Sequence, residues 1–168
     1  MKSMKLDSHG IAKVGLLSAL GVAAIWIFRV PGPDGKIYFH LGETIILTAS
    51  VLLGRWGGAL VGGISSALAD LLLGFPVWMP FSFVIHGIEG FIAGTLANGT
   101  GGVRDIGGMA AGVAMMVVGY AVSVYFLYGA ATVPLEIIGD TLQGLLGIAT
   151  AYPFTRFLLR RFEVKDES

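Results

Sequence analysis

The chain contains no cysteine. Disulfides, thiolate metal sites and cysteine nucleophiles are excluded together. Charge is also scarce: 13% of residues are Asp, Glu, Lys or Arg, against about 25% in an ordinary soluble domain. Eleven basic and eleven acidic residues cancel, so no charge excess points to nucleic acid as a partner. Several chemical signatures are missing too. No glycine-rich phosphate loop ends in Lys-Ser or Lys-Thr, so the chain alone is not equipped to hydrolyse ATP. Gly63-Ile64-Ser65-Ser66-Ala67 lacks the last glycine of a nucleophile elbow. Gly139-Asp140 lacks the preceding glycine of an intramembrane aspartyl protease, position 137 being Ile. His9, His40 and His86 are too scattered for a paired-His metal motif on one helix. No catalytic residue, metal or cofactor is therefore assigned, and a binding or transport subunit is expected rather than an enzyme.

Apolar residues are what the chain has in excess: 55% of the sequence, with a mean hydropathy of +0.80. A soluble fold of 168 residues could not hide that much apolar surface. The 26 glycines fit the same reading, since glycine lets membrane helices approach closely. Apolar stretches at about 11–28, 41–54, 57–74, 80–97, 107–128 and 134–159 predict an all-α, polytopic membrane protein. The expectation is one domain over 1–168, a bundle of six transmembrane helices. The stretch at 41–54 is short for a span of ~20 residues. Turn-forming segments separate the helices: Pro31-Gly32-Pro33-Asp34-Gly35, Arg55-Trp56-Gly57-Gly58, Gly74-Phe75-Pro76, Asn98-Gly99-Thr100-Gly101-Gly102 and Thr132-Val133-Pro134.

Six crossings place Lys2, Lys5, Lys13, Arg55, Arg104, Arg156, Arg160, Arg161 and Lys165 on one side, and Arg29 and Lys36 on the other. The positive-inside rule puts the richer side, and so both termini, in the cytoplasm. Lys2 and Lys5 ahead of an apolar run also suit a cleaved leader, but five further spans already explain membrane targeting.

Function is sought in polar groups that a bilayer penalises. An acidic side chain at a helix centre costs about 2.5–3.5 kcal/mol on insertion scales, so each one is a candidate site residue. Glu43 and Asp70 fall near outer helix ends. His86 and Glu89 share one helix face three residues apart, with Glu89 about 13 Å down its helix. Glu136, Asp140 and Gln143 follow at i, i+4 and i+7 on another face. All lie in the outer half of the membrane in this topology. They predict a polar pocket open to the outside, with Tyr38, Phe39 and His40 above it from the first outer loop. Phe75, Trp78 and Phe81 would come from the second, and aromatic walls with few polar groups suit a planar heterocycle. Tyr38 and Trp78 also suit an ordinary interfacial belt, Asp70 and Glu43 also suit helix caps, and His86 also suits a bond to Glu89 within the bundle.

His40-Leu41-Gly42-Glu43, Leu53-Gly54, the small-residue run from Gly57 to Gly63, and Ser66-Ala67-Leu68-Ala69-Asp70 form one pattern. Gly74-Phe75-Pro76 and His86-Gly87-Ile88-Glu89-Gly90-Phe91-Ile92-Ala93-Gly94 extend it. Together they resemble the S components of energy-coupling factor (ECF) vitamin transporters, nearest the riboflavin, hydroxymethylpyrimidine and pyridoxine-type group. The resemblance implies a multi-pass plasma-membrane protein of prokaryotic type that captures a vitamin or vitamin precursor from outside. It further implies two kinds of protein partner, a transmembrane coupling subunit and two cytoplasmic ATPases. In that family helix 1 presents small residues to the coupling subunit, and Gly15, Ala19 and Ala23 form such a stripe here. A pyrimidine or pyridine vitamer is favoured, with a flavin as a further possibility. The alternatives are a proton-coupled carrier or a small intramembrane enzyme using Glu89 and Asp140.

Overall fold

A computed structural model describes residues 7–31 and 38–166. Lys2, Lys5 and Lys36, counted above for orientation, and the Pro33-Asp34-Gly35 turn lie outside the described residues. The described chain is helical except for one short strand pair. Its elements are α1 (Ser8–Ile27), β1 (Val30–Pro31), β2 (Tyr38–Phe39), α2 (Glu43–Leu73), α3 (Met79–Leu96), α4 (Val103–Tyr128) and α5 (Val133–Asp166). A single 3₁₀ turn, Ala130–Thr132, leads into α5. β1 and β2 are antiparallel, Val30 facing Phe39 and Pro31 facing Tyr38.

Local chemistry explains where the helices begin and end. Asp7 caps α1 by accepting a 2.8 Å bond from the Gly10 amide. Pro80 sits in the first turn of α3, where a missing N–H leaves no helical bond unmade. The Asp105 carboxylate accepts from the amides of Asn98, Gly99 and Gly101, gathering the α3–α4 loop onto the start of α4. At the end of α2, Gly74 takes the left-handed conformation and the Phe75 amide reaches back to the Asp70 carbonyl, a Schellman-type stop.

The stretches expected as separate helices at about 41–54 and 57–74 form one element, α2. The break is sharper than the Arg55–Gly58 segment suggested: Gly54 alone is non-helical, at φ 76° and ψ −173°. Only glycine occupies that region without strain. The chain doubles back there. A Cβ on Gly58 would meet Ser50 Oγ, and one on Gly62 would lie 3.2 Å from Ile46 Cγ2, so the two arms run antiparallel in contact. The second arm then crosses α3 at backbone distance, because a Cβ on Gly90 would fall on the Gly58 carbonyl.

Two buried clusters hold the elements. Val14 of α1 meets Ala49, Leu53 and Val61 from both arms of α2. Leu47, Val51, Ile85, Ala93, Met109, Val113, Met116 and Ala151 join α2, α3, α4 and α5. The outer surface is itself rich in large apolar side chains, with Leu16, Trp26, Val118, Phe126, Leu142 and Phe157 all exposed. Among the described residues four helices, α1 to α4, are long and apolar enough to cross a membrane. α5 carries Glu136, Asp140 and Gln143 in its first half, and those residues bear on the site.

Candidate functional site

The end of α2, the start of α3, the second half of α4 and the first half of α5 converge at one end of the bundle. The residues just after β2 lie over them. Between them is a cavity lined by His40, Asp70, Trp78, Ser82, Tyr120, Glu136, Asp140 and Gln143. Six of these eight were candidate site residues in the sequence. The other two, Ser82 and Tyr120, were not, although Ser82 lies one turn from both Trp78 and His86 and so shares their helix face. The Tyr120 hydroxyl donates to Ser82 Oγ at 2.7 Å, linking α4 to α3 across the site.

Trp78 forms an aromatic wall. Its ring lies 5.6 Å from Tyr120, 6.0 Å from Tyr128 and 6.0 Å from Phe81. Phe81 stands behind Trp78 against the main hydrophobic cluster and does not line the cavity. The Trp78 Nε1–H and Asp140 Oδ2 are buried without a hydrogen-bond partner, and a donor and an acceptor left open in one cavity invite a ligand with both. No Lys or Arg is among the lining residues. The free volume is about 30 Å³, room for a water or two and not for a ring. Phe39 packs on α5 next to Asp140: its ring occupies the place where a Cβ of Gly139 would stand.

Beneath the cavity lies a buried polar chain. The His40 amide donates to Gln143 Oε1 at 2.8 Å, and Gln143 Nε2 donates to Glu43 Oε1 at 3.2 Å. Glu43 Oε1 is 3.6 Å from His86 Nδ1, which is 2.6 Å from Glu89 Oε2. Glu43, His86 and Glu89 are fully buried, and none lines the cavity.

The histidines scattered in sequence are neighbours in space, His40 and His86 having ring centroids 5.9 Å apart. With Glu43 they bring potential metal-ligand atoms within 4.8 Å of one another. The hydrogen bonds argue against an ion there. His40 Nδ1 accepts from the Gly42 amide at 3.1 Å, so the other nitrogen of this neutral ring carries its proton and no lone pair remains. Burial and the nearby His86 push the His40 pKa down to about 3, keeping the ring neutral. The arrangement is a hydrogen-bond chain, not a metal cage.

The α1 stripe faces outward. Gly15 and Ala19 are exposed and Ala23 is half-buried, and a Cβ at Gly15 would meet nothing within 4 Å. Gly21, on the opposite face, is the residue that packs on Ser65.

Two relatives are similar to this chain in sequence. An uncharacterized protein of Pyrococcus woesei is 37% identical over 123 residues, 73% of this chain and 82% of its own length. The thiamine precursor transporter HmpT of Lactococcus lactis subsp. cremoris (strain MG1363) is 37% identical over 97 residues, 54% of this chain and 58% of its own. The family described as ECF-type riboflavin transporter, S component, matches residues 5–160, nearly the whole chain. The chain belongs to the family of ECF-type riboflavin transporter S components.

Proposed function

We propose that this chain is the high-affinity capture subunit of an ECF importer, and that its ligand is a small amino- or hydroxymethyl-bearing pyrimidine or pyridine vitamer. The observation that carries the reading is the lining of the cavity. Three carboxylates, Asp70, Glu136 and Asp140, face an indole and a phenol with no basic side chain among them. Such a wall favours ring N–H and amino donors, and repels an anion in low dielectric. The thiamine-precursor relative supports a small ring, and the family description keeps a flavin in view.

In this reading the chain forms one domain with six crossings, the two arms of α2 counting separately and α5 as the sixth, and both termini are cytoplasmic. The antiparallel α2 arms support that count, and the basic residues support the orientation. The described cavity has no room for a ring, so capture requires the segment carrying Phe39 and His40 to move and then close. Release and energy come from a transmembrane coupling subunit and two ATPases, with α1 as the contact surface. The family description and the name of HmpT both speak of a transporter, which supports capture over enzymatic turnover.

The test is mass spectrometry of small molecules that co-purify with the protein in mild detergent, followed by binding titrations. Hydroxymethylpyrimidine or pyridoxine is expected to bind more tightly than riboflavin, and all three more tightly than folate or pantothenate. Tightest binding of an anionic vitamin would sink the substrate assignment. Uptake that continues without the ATPases would favour a proton-coupled carrier.

A further inference from the structure

His86 is placed as though to serve the cavity, yet sequence logic treated Glu89 as an equal contact. The geometry separates them. Glu89 is fully buried and its Oε2 lies 2.6 Å from His86 Nδ1. Glu43 Oε1, at 3.6 Å, faces that same nitrogen. Both carboxyls therefore sit at one edge of the imidazole, and Glu89, when ionised, accepts at 2.6 Å and holds the ring proton on Nδ1. The opposite nitrogen, Nε2, is then a lone-pair acceptor, and it is buried with no partner. The ring packs edge-on to Tyr120 at 5.4 Å and is tilted 48° to His40 at 5.9 Å, two residues that line the cavity. One helical turn above it is Ser82, a third.

We infer that His86 Nε2, which lies just behind the residues that line the cavity, is the acceptor that a bound ligand reaches, taking a hydrogen bond from its N–H or O–H, and that Glu89 is a positioning residue that holds His86 in the Nδ1–H form. This rests on the reading of the cavity as the ligand site. The logic is that of a carboxylate that orients a histidine ligated through its other nitrogen, with a ligand donor in place of a metal. His40 cannot take this role, because its Nδ1 already accepts from the Gly42 amide and its other nitrogen is a donor. Behind the lining His86 thus offers an acceptor, while the wall offers an acceptor from Asp140 and a donor from Trp78. A ligand matching this pattern has two donor groups and one ring acceptor. An aminopyrimidine bearing a hydroxymethyl group has them, and a carboxylate-bearing vitamin meets two acceptors with its own.

The experiment is ¹⁵N NMR of the full chain in lipid nanodiscs with labelled histidine. With three histidines in the sequence, the His86 signals are assigned from His9→Gln and His40→Gln variants. Ligand-free protein is expected to show His86 with a protonated Nδ1 and a bare Nε2. Hydroxymethylpyrimidine, the probe, should move the Nε2 resonance toward that of a hydrogen-bonded acceptor. Glu89→Gln keeps an acceptor oxygen and should raise the probe Kd less than about threefold. Glu89→Met, with none, should mix the two ring forms and raise Kd about tenfold or more. A protonated Nε2 in the ligand-free parent, or an Nε2 resonance unmoved by bound probe, overturns the inference. If Glu89→Met fails to fold, the parent spectra decide alone. Should hydroxymethylpyrimidine, pyridoxine and riboflavin all fail to bind the parent, the cavity reading falls and the ligand role of Nε2 falls with it. The ring proton pattern, read without ligand, still shows whether Glu89 orients His86.

Discussion

At the residue scale, what marks the site is polar atoms left open in a setting where open polar atoms are costly. Asp140 is 5% exposed and Oδ2 has no partner. A buried carboxylate without a cation is tolerated when something transient completes it. Asp140→Ala is expected to weaken binding of the vitamer by about 10-fold to 1000-fold, since a buried hydrogen bond to the ligand is lost. Trp78→Phe keeps the ring and removes the N–H, so a smaller loss of about 3-fold to 10-fold is expected. Titration of purified variants by calorimetry checks both, and a Trp78→Phe variant that binds like the parent would deny the indole N–H a role. His40 adds a pH term. Its pKa falls from 6.5 to about 3 on folding, so below pH 6.5 the unfolded chain takes up a proton that the folded chain refuses. The stability it contributes is complete above pH 6.5 and is lost as pH falls toward 3. Polar residues in apolar helices made most of this site legible in the sequence. Ser82 and Tyr120 escaped because a hydroxyl in a membrane helix carries little penalty and raises no alarm. The partnership of His40 with His86 escaped because tertiary packing, not spacing, unites them.

At the element scale, helix existence was readable and several boundaries were not: α4 begins at Val103 rather than 107, α5 runs to Asp166 rather than 159, and the break inside α2 is misplaced. Long apolar runs fix where helices are, and the start of α3 and the end of α4 fall within a residue of expectation. The α2 reversal was assigned to Arg55–Gly58 because two glycines and a polar residue look like a loop. Those four residues are helical, and Gly54 alone turns the chain, because one residue in a glycine-only conformation can reverse direction without unwinding a turn. Gly54→Ala should therefore cost about 1–3 kcal/mol, visible as a lower melting temperature in detergent. Gly15→Ala is the matched control. Gly15 lies in a helix with open space at its Cβ, where Ala is favoured by about 1 kcal/mol. A Gly54→Ala variant as stable as Gly15→Ala would mean that the arms need no sharp reversal. A further steric test falls on the contact between β2 and α5, beside the cavity. Gly139→Ala places a methyl where the Phe39 ring lies, so the ring must leave. Faster ligand release with little change in helix content is expected, read by stopped-flow quenching of tryptophan fluorescence.

At the scale of the whole molecule, capture and coupling are assigned to different surfaces, and that separation can be tested. The cavity belongs to α2, α3, α4 and α5 with the β2–α2 connection. α1 contributes nothing to its lining, and it holds to the rest through Val14 and Gly21 on its inner face. Its outer face carries Gly15 and Ala19 in the open and Ala23 half-buried, a shallow groove in which a second helix gains close dispersion contacts. If the coupling subunit docks there, Ala19→Trp removes the groove without touching the cavity. Ligand affinity should stay within about threefold, a change of roughly 0.65 kcal/mol or less. ATP-driven uptake in cells that also express the coupling subunit and its ATPases should be lost. Packing inside the bundle would give a different result, because overpacking a core position costs about 1–3 kcal/mol and would damage stability and binding together. The exposure of Ala19 already speaks against that outcome. A variant that binds and also transports like the parent would show that the coupling subunit reads some other face of the chain.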